Sequence, residues 1–189
     1  MKSTFFVLII SLLIACGGGE KTNVSEDKSD TVVQEYGAQS GAEDIEELGF
    51  ELLRTDSLGE IKLGTPMTSL LQWFGEPQEK SEAQIWGADE QLHQTIKYTA
   101  LGLEFDMVSD GDSSMTVNMI TATAGCTLKT AKGIGLGSTH DEVKAAYKKY
   151  ISESASDEIT LIAGSIYGGI VFGFEDKKVK SIFYGAGTE

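Results

Sequence analysis

Ile134-Gly135-Leu136-Gly137-Ser138-Thr139-His140-Asp141-Glu142-Val143 and the earlier stretch Ile61-Lys62-Leu63-Gly64-Thr65-Pro66-Met67-Thr68-Ser69-Leu70 read alike. Each starts with two apolar residues in alternation, which predicts extended chain. A glycine follows, then a hydroxyl residue, then a short amphipathic helix. In the earlier stretch Thr65 suits the N-cap and Pro66 the first helical position. Met67, Leu70, Leu71 and Phe74 then form one apolar stripe, and Gly75 with Pro77 stops the helix. In the later stretch Ser138 is the expected N-cap, with Asp141 three residues on in a variant of the capping box. Val143, Ala146, Tyr147 and Tyr150 form its stripe.

Period-two alternation continues after each helix. Expected strands are 83–86, 91–98, 102–108 and 115–123 in the first half, and 159–163, 169–174 and 179–184 in the second. Leu103, Phe105 and Met107 share one face. Turns fall at Asp110-Gly111-Asp112-Ser113 and Glu175-Asp176-Lys177 by composition. The two halves correspond at offsets of 73, then 67, then 62 residues, with loop changes between the matched segments. Ile61, Leu63, Gly64 and Phe74 pair with Ile134, Leu136, Gly137 and Tyr147. Gly102 to Phe105 pair with Gly169 to Phe172, and Val117 and Ile120 with Val179 and Ile182. The expected fold class is α+β, two tandem helix-plus-antiparallel-meander repeats sharing a sheet. The repeats span residues 42–125 and 126–189. Residues 42–56 stay open between helix and strand, since so short a run does not settle its period.

Ahead of the repeats lies a different kind of sequence. Lys2 precedes an apolar run, Phe5 to Ile14, too short for the ~20 residues of a membrane span and suited to a signal peptide. It ends in Leu13-Ile14-Ala15-Cys16. This ending resembles the lipobox of bacterial lipoproteins, which implies that residues 1–15 are removed and Cys16 carries the lipid. Acyl chains contribute ~0.8 kcal/mol per buried CH₂, so several anchor stably. Residues 16–41 are rich in Gly, Ser and acidic residues and poor in apolar ones, as expected of a flexible tether. Gly17 stands where an aspartate favours inner-membrane retention in enterobacterial lipoproteins, so the resemblance implies an outer-membrane location in the cell envelope.

The "I-x-L-G-[ST]" start and the helix-then-meander order, over residues 57–189, resemble the tandem repeats of the β-lactamase inhibitor protein fold. A single unit resembles the small lipoprotein of the outer-membrane barrel-assembly machine. The chain lacks that inhibitor's two disulfides, and no second helix per unit is evident. The resemblance therefore implies a fold type, without inhibitory activity or binding residues.

The formal charge is −14 over 189 residues. Such a surface repels phosphate backbones and anionic lipids, which argues against nucleic-acid partners. Residues 42–125 hold 4 basic and 16 acidic residues, whereas residues 126–189 hold 8 of each. An acidic first half suits a basic protein partner. With Cys16 lipidated, Cys126 has no disulfide partner in the chain and reads as a small buried hydrophobe.

Candidate chemistry is sparse. The glycines around Ile134 fit neither a dinucleotide fingerprint nor a phosphate loop. His93 and His140 are the only histidines. His140 falls in the first turn of a helix beside Asp141 and Glu142, which point in different directions and make no metal cluster. Asp106, Asp110 and Asp112 lack the terminal glutamate of a calcium loop and read as a solvated turn. No nucleophile motif or zinc motif is present, and no cofactor, metal or catalytic residue is assigned. The expected function is a non-catalytic, membrane-anchored lipoprotein that binds or scaffolds a protein partner. The alternatives are a carrier of a small apolar ligand in the envelope and, third, an envelope enzyme.

Overall fold

The computed structural model describes residues 40–109, 111 and 114–187. The leader, Cys16, the tether up to residue 39, and the turn residues Asp110, Asp112 and Ser113 lie outside them. No described helix is long and apolar enough to cross a membrane.

Residues 40–55 form a helix, α1 (Ser40–Thr55). Its period is visible in Ile45, Leu48, Gly49, Leu52 and Leu53, an i, i+3, i+4, i+7, i+8 stripe. The choice left open for residues 42–56 therefore falls to helix. Leu52 and Leu53 are buried, while Phe50 stays largely exposed.

The remaining elements come in chain order. They are α2 (Met67–Phe74), β1 (Glu79–Lys80), β2 (Gln84–Ile85), β3 (Leu92–Tyr98), β4 (Leu103–Ser109), β5 (Thr116–Ala122), α3 (His140–Tyr147), β6 (Thr160–Ser165), β7 (Gly168–Glu175) and β8 (Lys178–Gly185). The strands form one antiparallel sheet in the order β1-β3-β4-β5-β8-β7-β6, with β2 also paired to β3. Two meanders, β3-β4-β5 and β6-β7-β8, thus meet along β5 and β8. The protein is mixed α+β and mostly sheet.

Cross-strand partners share a face, so the register sorts the side chains. Tyr98 pairs with Leu103, Phe105 with Ile120, Ile120 with Tyr184, and Tyr184 with Ile170. All are buried in one apolar core, with Leu70 of α2 and Val143 and Tyr147 of α3. Phe74 meets the Tyr98 ring edge-on at 5.5 Å, and Tyr147 lies 5.0 Å from Phe172. The helices cover this face. α1 packs on β6 and β7, strands of the other half of the chain. A Cβ on Gly49 would strike the backbone of Gly168 and Gly164, so helix and hairpin approach as only glycines allow.

The starts of α2 and α3 correct the capping expectation by one residue. Thr65 does not cap α2. Its Oγ1 turns back to accept the Lys62 amide at 3.0 Å, and Pro66 holds the cap position without a side-chain bond. Ser138 likewise accepts the Gly135 amide at 3.2 Å. The N-cap of α3 is Thr139, whose Oγ1 accepts the Glu142 amide while Glu142 accepts the Thr139 amide. That is a full capping box, with Glu142 in the role expected of Asp141. The backbone accepted at Thr139 holds the Glu142 carboxyl below its usual value.

The two sites match in backbone geometry. Gly64 has φ +83° and Gly137 φ +84°. Gly64 N donates to Val117 O at 2.7 Å, and Gly137 N to Val179 O at 2.8 Å. β4 and β7 each shift register against the following strand, after Asp106 and after Gly173.

The outer edge of β6 is occupied. Ile162 donates to Ser156 Oγ and accepts from Ser152 N, and Gly164 N donates to Tyr150 O. The opposite edge ends in the two-residue strands β1 and β2. Neither edge presents a long unpaired strand.

Candidate functional site

The face turned away from the helices holds the polar cluster. On β3 it carries His93, Thr95 and Lys97, because Ile96 and Tyr98 point into the core. On β4 it carries Glu104 and Asp106. Thr95, Asp106 and Met119 form one cross-strand row, and Glu104, Thr121 and Phe183 form the next. Between these rows, with Trp86 and Gly187 as further walls, lies a cleft of about 400 Å³ open to solvent.

Asp106 is at its base and only 8% exposed. This corrects the reading of Asp106 as part of a solvated turn: it is an internal residue of β4. Its Oδ2 accepts His93 Nδ1–H at 2.8 Å and the Asn118 side-chain amide at 2.8 Å. The second bond depends on the bulge. Asp106 opposes Met119 and Met107 opposes Val117, so Asn118 is the extra residue on β5, and the bulge re-aims its side chain. Asp106 Oδ1 is shielded from solvent and accepts no hydrogen bond among the described residues.

His93 is 2% exposed and held on both ring nitrogens. Nε2 lies 2.9 Å from Asp89 Oδ2. Trp86 stacks on the imidazole at 3.8 Å between centroids and 4° between planes. The turn after β2 brings Trp86 and Asp89 over the sheet. Trp86 N donates to Gln91 O, Glu90 N to Trp86 O, and Gln91 N to Asp89 Oδ1. Glu90 sits at φ +59° to make this turn.

Two carboxylates on opposite ring nitrogens select the imidazolium, since a neutral ring donates from only one nitrogen. Burial opposes the charge on His93, but Asp89 and Asp106 outweigh it and hold the imidazole above its ordinary value. The Gln91 amide, and next His93, hold the Asp89 carboxyl low. With both nitrogens committed, His93 has none free to take a proton from a molecule in the cleft. Beside it Lys97 and Glu104 make a half-exposed ion pair at 2.9 Å.

His140 sits elsewhere, in a wider groove of about 690 Å³ lined by Thr139, Ile159, Phe174, Lys177 and Lys178 among others. Its ring lies 5.0 Å from Phe174, and its Nε2 has no partner among the described residues. The two histidines therefore belong to different sites. The hairpin beside this groove turns through Asp176 and Lys177, both at positive φ, as in a type I′ turn. Cys126 is buried, and burial pushes its thiol up, away from the reactive thiolate. Among the described residues no group of three or more His, Cys, Asp or Glu side chains is placed to hold a metal ion.

Sequence reading missed Trp86, Asp89 and Asn118, and did not connect His93 to Asp106. Their 13-residue separation becomes contact only through the register of β3 on β4. No family model, curated protein or solved structure matches the chain.

Proposed function

We propose that this protein is a lipid-anchored lipoprotein of the bacterial cell envelope, of the outer membrane, whose folded part is a non-catalytic protein-binding module. Cys16 carries the lipid and residues 16–41 form the tether. The folded part is two copies of one helix-plus-meander unit, residues 42–125 and 126–189, of the type seen in the β-lactamase inhibitor protein fold. The matched φ values of Gly64 and Gly137, the matched bonds to Val117 and Val179, and the paired bulges support duplication.

One observation carries the binding reading. The helices cover one face of the sheet, and the other face keeps a continuous half-buried surface with a polar cleft at its centre. Such a face is a platform for contact, and a tether raises its local concentration beside a membrane-bound partner. The acidic first half favours encounter with a basic partner and makes association sensitive to salt. The engagement of both His93 nitrogens supports a non-catalytic role.

Capture of the full-length protein from the envelope of the cells that make it, beside a Cys16→Ser form, tests this. A discrete protein partner, retained by the lipidated form and released by salt, supports it. An unacylated mature terminus at a residue other than Cys16, by mass spectrometry, removes the anchor. A second reading, a carrier of a small apolar ligand, draws on the groove lined by Phe174 and the exposed Ile159. Extraction of a bound lipid-like molecule from purified protein would favour it.

A further inference from the structure

The cleft over Asp106 has a composition that selects its occupant. The buried Oδ1 of Asp106 is an acceptor without a donor among the described residues. Leaving a buried acceptor unpaired costs roughly 1–3 kcal/mol, which an incoming donor recovers. Around it stand further acceptors, the hydroxyls of Thr95 and Thr121 and the carboxylate of Glu104, between the rings of Trp86 and Phe183 and the thioether of Met119. The Asp89–His93–Asp106 chain shares one imidazolium between two carboxylates, so this chain, with Asp106 at the cleft's base, carries net negative charge.

A metal ion fits this poorly. Among the described residues no three His, Cys, Asp or Glu side chains are placed to hold one. The suited cation brings several donors in one plane and an apolar flat body for aromatic walls. That describes a guanidinium, which donates in a fork and stacks on rings; an ammonium is compact and more strongly hydrated. In the present conformation Oδ1 is closed to solvent, so a donor reaches it by displacing a wall. Met119, with three rotatable bonds, is the adaptable one.

We propose that the cleft between Trp86, Asp106, Thr121 and Phe183 receives the guanidinium of an arginine side chain presented by a protein partner. This rests on the reading of the helix-free face as a protein-binding surface. The cleft's acidic base comes from the first half of the chain, because the position matching Asp106 in the second half is Gly173, while the second half supplies the Phe183 wall.

The test uses the full chain carrying Trp73→Phe, so that Trp86 is the one remaining tryptophan and its fluorescence reports on the cleft. The probes are acetyl-Gly-Arg-Gly-amide and its citrulline and lysine counterparts. The arginine peptide should give a saturable change that weakens with salt. The citrulline peptide, isosteric and neutral, should give none at equal concentration, and lysine a weaker one. Asp106→Asn should reduce arginine affinity at least about tenfold, the loss of a charge-assisted bond. Since Asp106→Asn also touches His93, Thr121→Arg serves as the second variant. It fills the cleft from its own wall and should abolish the response to added peptide. Equal responses to arginine and citrulline, no response at all, or unchanged binding in both variants would overturn the proposal. Should the full-length protein still capture a partner after such a result, protein binding stands and the arginine site falls. Failure of both removes both.

Discussion

Tyr147 donates its hydroxyl to Asp56 Oδ2 at 3.0 Å across 91 positions of the chain. The other oxygen, Oδ1, accepts the Ser57 amide at 2.7 Å, the Ala131 amide at 3.1 Å and the Tyr184 hydroxyl at 3.3 Å. Asp56 is 3% exposed, yet its carboxylate is well supplied with donors, as a buried charge must be. It ties the end of α1 to α3, to β8 and to the segment before α3. Burial, with the carboxylate beside them, pushes both tyrosine hydroxyls far up, so they stay protonated donors.

Asp56→Ala leaves two buried hydroxyls and two amides without this acceptor. The expected loss is about 3 kcal/mol or more by urea unfolding. A loss below about 1 kcal/mol would mean that the carboxylate is not the tie described.

Gly64 and Gly137 test the backbone independently of packing. A Cβ at either meets nothing within 4 Å, so a substitution there is strained by φ alone. Gly64→Val and Gly137→Val should each cost about 1–3 kcal/mol, and Gly→Asn clearly less, since Asn tolerates the left-handed region. Equal costs for Val and Asn in thermal melts would point to a cause other than φ.

Residues 42–125 alone should fail to fold cooperatively. In that fragment α1 loses β6 and β7, β5 loses β8, and Asp56 loses Tyr147 and Tyr184. Too little apolar surface remains buried to offset the chain entropy. A sharp, reversible melt of the fragment would contradict the shared core.

His93 gives a pH dependence of known sign. Its folded pKa is raised, so its charged contacts stabilise fully below the unfolded value of about 6.5 and fade as pH rises through the folded value. Asp89 acts oppositely: its contribution is lost as pH falls through a folded pKa that lies below 3.8. His93→Gln should therefore cost about 3 kcal/mol near pH 6 and less at pH 9, by denaturant melts across pH. A penalty that grows with pH would reverse the assignment.

The strands of the first meander were legible because they alternate, and Leu103, Phe105 and Met107 point inward as their period requires. In β6, by contrast, Leu161 to Gly164 are all buried. Caps were less legible, because a hydroxyl bonds backward as readily as forward. The Thr139-x-x-Glu142 box was nonetheless present in the sequence, one position beyond Ser138. α1 carried a helical stripe in so short a run that its strand-like end competed with it. The His93 site was hidden for a different reason. It depends on the β3–β4 register, a bulge at Asn118 and a fold-back of Trp86, none of which local periodicity encodes.

The most direct measurement of the central claim is photo-crosslinking in the native envelope. One photoreactive residue replaces Val171, which pairs with Phe183 on the helix-free face and lies outside the cleft; in a second form it replaces Trp73, exposed on α2. Binding through the helix-free face predicts a discrete crosslinked protein from position 171, diminished by salt, and little from position 73. The same product from both positions, or products from position 73 alone, would contradict it.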